Sequence, residues 1–181
     1  AGLPPDQAMY SKDKDYVEKI FAPKVAGTLI LMDLFKNENL DFFFVCSAVA
    51  AVHGAFGESD YAAANAFQDS LIHYRNTRSD GSINSFSVNW SLWREVGFAI
   101  DIEVPDNMKK DRELTLRYGI SNHEGIIAFE KILNGAHAQL ATIPYERLEL
   151  ESCADGVSRG MDLHERPEQA VPYMAPRIDI E

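Results

Sequence analysis

The run FFFVC at residues 42–46 is the feature that most constrains the fold. A strand with one solvated face alternates between apolar and polar residues, whereas this run is apolar at every position. It therefore predicts a central parallel strand covered on both sides, with Cys46 as a buried, reduced thiol. The small residues that follow, at positions 48–59, predict a loop across the carboxyl end of that strand.

Apolar periodicity predicts the other elements of the fold. The expected helices cover residues 13–22, 24–36, 61–75 and 121–133, and two further strands cover residues 85–89 and 138–143. Pro23 is expected to separate the first two helices, and Asp60 to cap the third. Ser121 and Glu124 form a capping-box pattern at the fourth. Helices that alternate with buried strands indicate an α/β fold with a doubly wound parallel sheet.

Charge and composition exclude several classes of protein. The chain has 181 residues, with 17 Lys and Arg against 28 Asp and Glu, and a net charge of −11. Its basic residues are scattered, which argues against nucleic acid as a partner. No apolar run is long enough to cross a membrane, and the N-terminus does not resemble a signal peptide. We therefore expect a cytoplasmic protein. The cysteines and histidines do not show the spacing of metal ligands, so we expect no metal site.

The character of the sequence changes near residue 151. Pro167, Pro172 and Pro176 fall in the segment that follows, which has interspersed charges and neither helical nor strand periodicity. Prolines keep a backbone extended and charges keep it solvated. We therefore expect one domain over residues 1–151 and a linker over residues 152–181. Within the domain, residues 90–107 are expected to be an irregular loop and lid over a site.

Tyr61 and Asn65 lie where an active site is expected. In an open parallel sheet, ligands bind outside the carboxyl ends of the strands. The two residues are four positions apart and share one helix face just after such an end. A tyrosine can act as a general acid toward a ketone oxygen if a nearby cation lowers its pKa, and Lys24 is the candidate cation. The alternative is that Tyr61 only packs at the start of a helix.

Four segments, in order along the chain, resemble a known enzyme family: FAPKVAGT at residues 21–28, FVCSAVAAVHG at 44–54, SDYAAANAFQD at 59–69 and VNWSLWREVGF at 88–98. They are similar to the catalytic stretch of ketoreductase domains from modular polyketide synthases and related megasynthases, within the short-chain dehydrogenase/reductase superfamily. The resemblance spans about residues 1–150. It implies the C-terminal, catalytic half of a Rossmann-like doubly wound sheet, with NADPH as the cofactor.

The resemblance implies catalytic roles for three residues and raises a question about two more. Tyr61 would donate the proton, Asn65 would help to hold the donor network, and Lys24 would orient the cofactor ribose. The family's catalytic serine lies 13 residues before the tyrosine and 24 after the lysine, and this chain has Ala48 there. Ser47 is one residue early, and neighbouring strand residues point to opposite faces. The chain is therefore an impaired natural domain, an engineered one, or a variant in which Ser47 substitutes.

The resemblance also implies residues for cofactor binding. Gly2 matches a glycine at the end of the fourth strand in such reductases. The segment with Asn89, Trp90 and Ser91 would line the nicotinamide and substrate end, although Trp90 and Trp93 are equally typical of core aromatic residues. No glycine-rich pyrophosphate turn of the GxGxxG type is found, so the N-terminal half of the same reductase domain is an expected partner.

The function implied by the resemblance is reduction of a keto group on an acyl chain, with a hydride from NADPH. The acyl chain would be held by the phosphopantetheine arm of an acyl or peptidyl carrier domain, in a polyketide or hybrid peptide synthase. The alternative is an inactive or structural ketoreductase-like domain that scaffolds its neighbours. Ala48 favours that alternative.

Overall fold

The computed structural model describes residues 11–54, 57–78, 85–97, 100, 106, 109–135 and 137–144. Its helices are α1 (Lys14–Phe21), α2 (Gly27–Leu34), α3 (Ala50–His53), α4 (Ser59–Arg78), α5 (Lys109–Arg117) and α6 (Asn122–Leu133), with a π segment, Ala22–Ala26, between α1 and α2. The strands are β1 (Phe43–Ala48), β2 (Ser85–Trp90) and β3 (Gln139–Thr142). Gly2, part of the predicted lid and the predicted linker over residues 152–181 lie outside the described residues.

The three strands form one parallel sheet in the order β1, β2, β3. Phe44 of β1 lies opposite Phe86 of β2, and Ser47 lies opposite Asn89. Parallel neighbours need a crossover connection. Helix α4 lies in the connection between β1 and β2, and α5 and α6 lie in the connection between β2 and β3. The predicted α/β fold with a parallel sheet is confirmed.

Helices cover both faces of this sheet. On one face, Ile72 of α4 packs with Phe43 and Val45 of β1. On the other face, Ile132 of α6 packs with Phe86 and Val88 of β2. Burying side chains of this size stabilises a fold by about 1.5–3 kcal/mol each. The carboxyl ends of β1 and β2 are therefore fixed between two helical layers.

The predicted burial of Cys46 is wrong, because the structure leaves this thiol free and exposed. β1 is the first strand in the described sheet order, and β2 is the central one. Cys46 shares the α6 face of the sheet, where α6 packs over β2. An apolar run shows which residues can be buried, but the cover is supplied by other elements. In the described part of the chain, that cover does not reach Cys46.

The helices around Pro23 are continuous, which differs from the predicted break. The N–H of Gly27 bonds to the carbonyl of Ala22, five residues earlier, and closes a π turn. Proline has no N–H to contribute to a helix. The wider turn accommodates Pro23 at its start, and the chain stays helical from Lys14 to Leu34.

Two further regions differ from the predicted pattern. Helix α3 lies inside the segment predicted as a loop and ends at Gly54, whose φ of 71° suits glycine. Helix α4 begins at Ser59, so Asp60 lies in its first turn and accepts the N–H of Tyr61 at 2.9 Å. Helix α5 was not predicted, because its sequence, KKDRELTLR, has almost no apolar face.

The structure also bears on membrane spans and metal sites. None of the described helices is long and apolar enough to span a membrane. Among the described side chains, no group of three or more His, Cys, Asp and Glu is arranged to hold a metal ion.

Candidate active site

Lys24 is placed by the π segment at the carboxyl end of β1. Its side chain is only 9% exposed. Its Nζ donates to the carbonyl of Cys46 at 2.9 Å and to Oε1 of Gln68 at 3.1 Å. Burial lowers the pKa of Lys24 from its usual value, whereas the nearby Cys46 thiol and Asp69 carboxylate raise it in part. π turns are frequent at functional sites, and this one brings an ammonium group to the end of the sheet.

Tyr61 lies in the first turn of α4, close to Lys24. The Lys24 Nζ is 5.5 Å from the centre of the Tyr61 ring, which is within the range of a cation–π contact. Burial raises the pKa of Tyr61 to about 12, with Glu58 adding to the effect and a hydrogen bond with Asn65 opposing it. The predicted lowering of this pKa by Lys24 is not found, because burial dominates. The phenol is therefore protonated at neutral pH.

Asn65 lies one turn after Tyr61 on α4, as the spacing predicted. Its side chain is completely buried, and its Nδ2 donates to the carbonyl of Tyr61 at 2.7 Å. Its Oδ1 has no hydrogen-bond partner among the described residues. Asn65 thus fixes the backbone that carries Tyr61.

Ser47 and Ala48 point to opposite faces of β1. The Ser47 hydroxyl is buried beneath α4, where it accepts from Nδ2 of Asn89 at 2.9 Å and donates to the carbonyl of Asn65 at 3.4 Å. The Ala48 side chain lies on the other face and offers only a methyl group. Ser47 is therefore part of a buried hydrogen-bond network, and its position is not equivalent to that of residue 48.

Asn89, predicted as a cofactor contact, is completely buried. Its Nδ2 lies within hydrogen-bond distance of Ser47 Oγ, the Ala48 carbonyl at 3.1 Å and Asp69 Oδ2 at 2.8 Å. Its Oδ1 accepts from Gln139 at 3.0 Å. The side chain therefore connects all three strands with α4 and is not available to a ligand in this structure.

The two tryptophans favour the packing alternative. Their rings are 5.1 Å apart, and Trp90 packs against the apolar cluster under α6. Trp93 lies so close to Gly125 of α6 that a Cβ there would overlap the indole ring. Ser91 is buried, its N–H donates to the Thr142 carbonyl at 3.1 Å, and its Oγ has no hydrogen-bond partner among the described residues. Among the described residues, Ser91 thus has a buried polar atom that no protein group uses.

Two features of the site were missed at the level of sequence. Gln68 contacts Lys24, and its position seven residues after Tyr61 on one helix face could have indicated this. Lys12 forms an ion pair of 2.8 Å with Asp60, and both side chains are less than a tenth exposed. Lys12 also donates to the carbonyl of Gly57 at 2.9 Å. No sequence signal connects residue 12 with residue 60, because the contact depends on the tertiary fold.

Known proteins resemble this chain in sequence. The model of the KR domain family matches residues 1–95. The polyketide synthase PksM of Bacillus subtilis (strain 168) is 37% identical over 140 residues, which cover 77% of this chain and 3% of that protein. The polyketide synthase ThaG of Burkholderia thailandensis is 29% identical over 183 residues, which cover 99% of this chain and 3% of that protein. This chain thus spans a small fraction of the length of these synthases.

Solved structures resemble it in fold. A ketoreductase domain from the bacillaene assembly line matches with a TM-score of 0.70 and 26% identity, covering 83% of this chain and 37% of that one. An N-terminal ketoreductase from the macrolactin assembly line matches with a TM-score of 0.65 and 30% identity, covering 90% of this chain and 29% of that one. Sequence and fold agree, and the chain belongs to the KR domain family, the ketoreductase domains of polyketide synthases.

Proposed function

We propose that this chain is the catalytic part of a reductase that uses NADPH to reduce a keto group on a carrier-bound acyl chain. The observation that supports it most directly is the Lys24 ammonium, 5.5 Å from the centre of the Tyr61 ring. Both groups lie at the carboxyl end of β1, where open parallel sheets bind ligands. KR domains are reductases that use a nicotinamide cofactor, and NADPH is the form implied by the resemblance.

The polar groups at the site fit such a cofactor. An ammonium group has three N–H donors, and two of those on Lys24 are used by Cys46 and Gln68. The third is available to a ribose hydroxyl. The Ser91 Oγ, which is buried without a hydrogen-bond partner among the described residues, is a further group for the nicotinamide end. When bound, the cofactor supplies the hydride.

The proton would come from Tyr61. Tyr61 carries its proton at neutral pH and can give it to the developing alkoxide, but burial raises its pKa to about 12 and makes it a weaker acid than a free tyrosine. Lys24 beside the ring stabilises the phenolate that remains. Asn65 holds the Tyr61 backbone and so helps to fix the donor's position.

The second candidate function is an inactive or structural ketoreductase-like domain, and the pair Ser47 and Ala48 favours it. Ala48 has no donor for the substrate oxygen, and the neighbouring hydroxyl of Ser47 is used inside the fold. Losing one such donor lowers a rate by about two to three orders of magnitude. A slow reductase is therefore the expected form of the active alternative.

Two partners belong to the proposal. The N-terminal half of the same reductase domain would pair with the outer edge of β1, which has no strand partner among the described residues. Residues 152–181 would form a connector from residues 1–151 toward a phosphopantetheine-bearing acyl or peptidyl carrier domain in the cytoplasm. Truncation after residue 150 tests the connector, because loss of a mere linker leaves the melting temperature of the complete domain within about 5 °C of its original value.

The function is tested by measuring NADPH oxidation by the complete polypeptide with a β-keto thioester. Tyr61→Phe and Lys24→Met should each abolish the measured reduction. Tyr74→Phe is the matched control, since Tyr74 lies on the same helix, is 53% exposed and should leave the rate unchanged. Absence of turnover in both the natural chain and Ala48→Ser would support the structural alternative.

A further inference from the structure

We propose that Gln68 is a positioning residue for Lys24, which rests on the proposed role of Lys24 in the reductase. Gln68 is 6% exposed and lies on α4 between Lys24 and Thr28. Its Oε1 accepts from Lys24 Nζ at 3.1 Å, and its Nε2 donates to Thr28 Oγ1 at 2.9 Å. Both ends of the amide are therefore used, one by Lys24 in the π segment and the other by Thr28, the second residue after that segment.

The donors and acceptors of Lys24, Thr28 and Gln68 fit together in only one arrangement. Thr28 Oγ1 donates its proton to the carbonyl of Lys24 at 2.5 Å, so it must accept from Gln68. Gln68 then turns its amide nitrogen toward Thr28 and its carbonyl oxygen toward Lys24. Because Lys24 can only donate, that oxygen is the end of the amide it requires. Thr28 thus orients Gln68, and Gln68 orients Lys24.

An uncharged acceptor at residue 68 holds Lys24 without adding a negative charge beside it. The backbone carbonyl of Cys46 and the amide of Gln68 hold two of the three Lys24 donors, which fixes the direction of the third. Neither acceptor carries a charge, so these two bonds leave the ammonium charge to act on Tyr61 and a cofactor hydroxyl, with Asp69 and Cys46 as the nearby titratable groups. A carboxylate in the place of Gln68 would still bind Lys24, but it would neutralise part of that charge.

The test is the pH at which Lys24 becomes reactive as a free amine in the complete polypeptide. Trace acetylation with acetic anhydride over a pH series, read by peptide mass spectrometry, reports this for each lysine. Gln68→Leu removes an acceptor from a buried cation, so it lowers the pKa of Lys24 and shifts its labelling to lower pH. Gln68→Glu adds a negative charge and shifts the labelling to higher pH. A Gln68 side chain without contact to Lys24 would not produce opposite shifts, and the activity measurement decides whether this contact positions Lys24 for the reaction.

Activity supplies the second readout. Gln68→Leu should lower kcat/KM by about tenfold and raise the KM for NADPH, since one bond to a charged group is lost. Ser70→Ala is the matched control, because Ser70 is exposed on the same helix and its hydroxyl donates, among the described residues, to the Ala66 carbonyl of its own helix. Lys36, exposed and paired with Asp33 at 2.8 Å, is the internal control for labelling.

Equal labelling of Lys24 in the natural chain, Gln68→Leu and Gln68→Glu would overturn the proposal. If Gln68→Leu fails to fold, the upward shift in Gln68→Glu still decides whether residue 68 contacts Lys24, and the kcat/KM of Gln68→Glu against the natural chain decides whether the neutral amide matters. If the polypeptide has no reductase activity, the proposed function fails, but the labelling still shows whether Gln68 holds Lys24.

Discussion

The side-chain amide of Asn89 donates to the carboxylate of Asp69 over 2.8 Å, and this bond connects the central strand to helix α4. Both side chains are buried. An unpaired buried carboxylate is costly, so this pair makes the position of α4 on the sheet depend on one amide. Tyr61 is carried by the same helix.

We expect Asn89→Leu to destabilise the complete reductase domain by about 2–4 kcal/mol, because it leaves the Asp69 carboxylate without this donor. Chemical denaturation measures the loss. Asn134→Leu is the control: the Asn134 side chain is exposed and, in the part of the chain that the structure describes, bonds to the Glu130 carbonyl at the surface, so its replacement should cost less than about 0.5 kcal/mol. Equal losses in the two variants would contradict the importance of the Asn89 network.

Gly125→Ala should also destabilise the domain, by about 1–3 kcal/mol, because the added methyl group would overlap the Trp93 ring. Gly27→Ala provides the comparison. A Cβ there lies 3.5 Å from the Ala22 carbonyl, an ordinary contact, and alanine is the better helix former. Thermal unfolding followed by tryptophan fluorescence should show a loss for Gly125→Ala and none for Gly27→Ala. The reverse order would show that Trp93 does not pack on α6.

Ala48→Ser should raise the turnover of the complete domain by about ten- to a thousand-fold, since it restores a donor at the end of β1. Ser47→Ala should leave turnover nearly unchanged and lower stability by about 1 kcal/mol, because Ser47 bonds to Asn89 within the core. Steady-state rates and denaturation curves for both variants test this pair. If Ser47→Ala abolishes activity while Ala48→Ser has no effect, Ser47 is the working residue.

Ionisation of Tyr61 should lower the stability of the complete domain at alkaline pH. Its pKa is about 12 in the fold, against about 10 in an unfolded chain, so the folded state holds this proton more firmly. Its contribution is full below pH 10 and is lost as the pH rises through 12. Denaturation at pH 9, 10 and 11 should show a steeper decline for the natural domain than for Tyr61→Phe. Parallel declines would mean that burial does not perturb Tyr61.

Local signals predicted the strands and most of the longer helices, although α3, α5 and the continuous helix at Pro23 were missed. Ser121 and Glu124 form the expected capping box, with the Glu124 N–H donating to Ser121 Oγ at 3.2 Å and the Ser121 N–H donating to the Glu124 carboxylate at 2.6 Å. The run FFFVC lies largely within β1. These features depend on neighbouring residues, so the sequence contains them directly.

Long-range features were less accessible. Lys24 and Tyr61 are 37 positions apart, and the residue pattern alone offered Lys24 only as a candidate cation until the resemblance gave it a role. The burial of Asn89 could not be predicted, because a polar residue at a strand end is equally typical of a ligand contact. Its four neighbours in the network come from two strands and a helix, and only the folded chain brings them together.

The number of residues in the π segment helps to determine where Lys24 lies in the active site. A turn with hydrogen bonds to the fifth residue holds one residue more than an ordinary helical turn. Deleting Val25 or Ala26 would leave two residues between Lys24 and Thr28 in place of three, and would shift the two side chains relative to each other by about 100° around the helix axis. The hydrogen bonds from Lys24 to Gln68 and from Gln68 to Thr28 depend on that spacing. Ala22 and Ala26 are exposed, so replacing their side chains should disturb this arrangement less than changing the number of residues between α1 and α2.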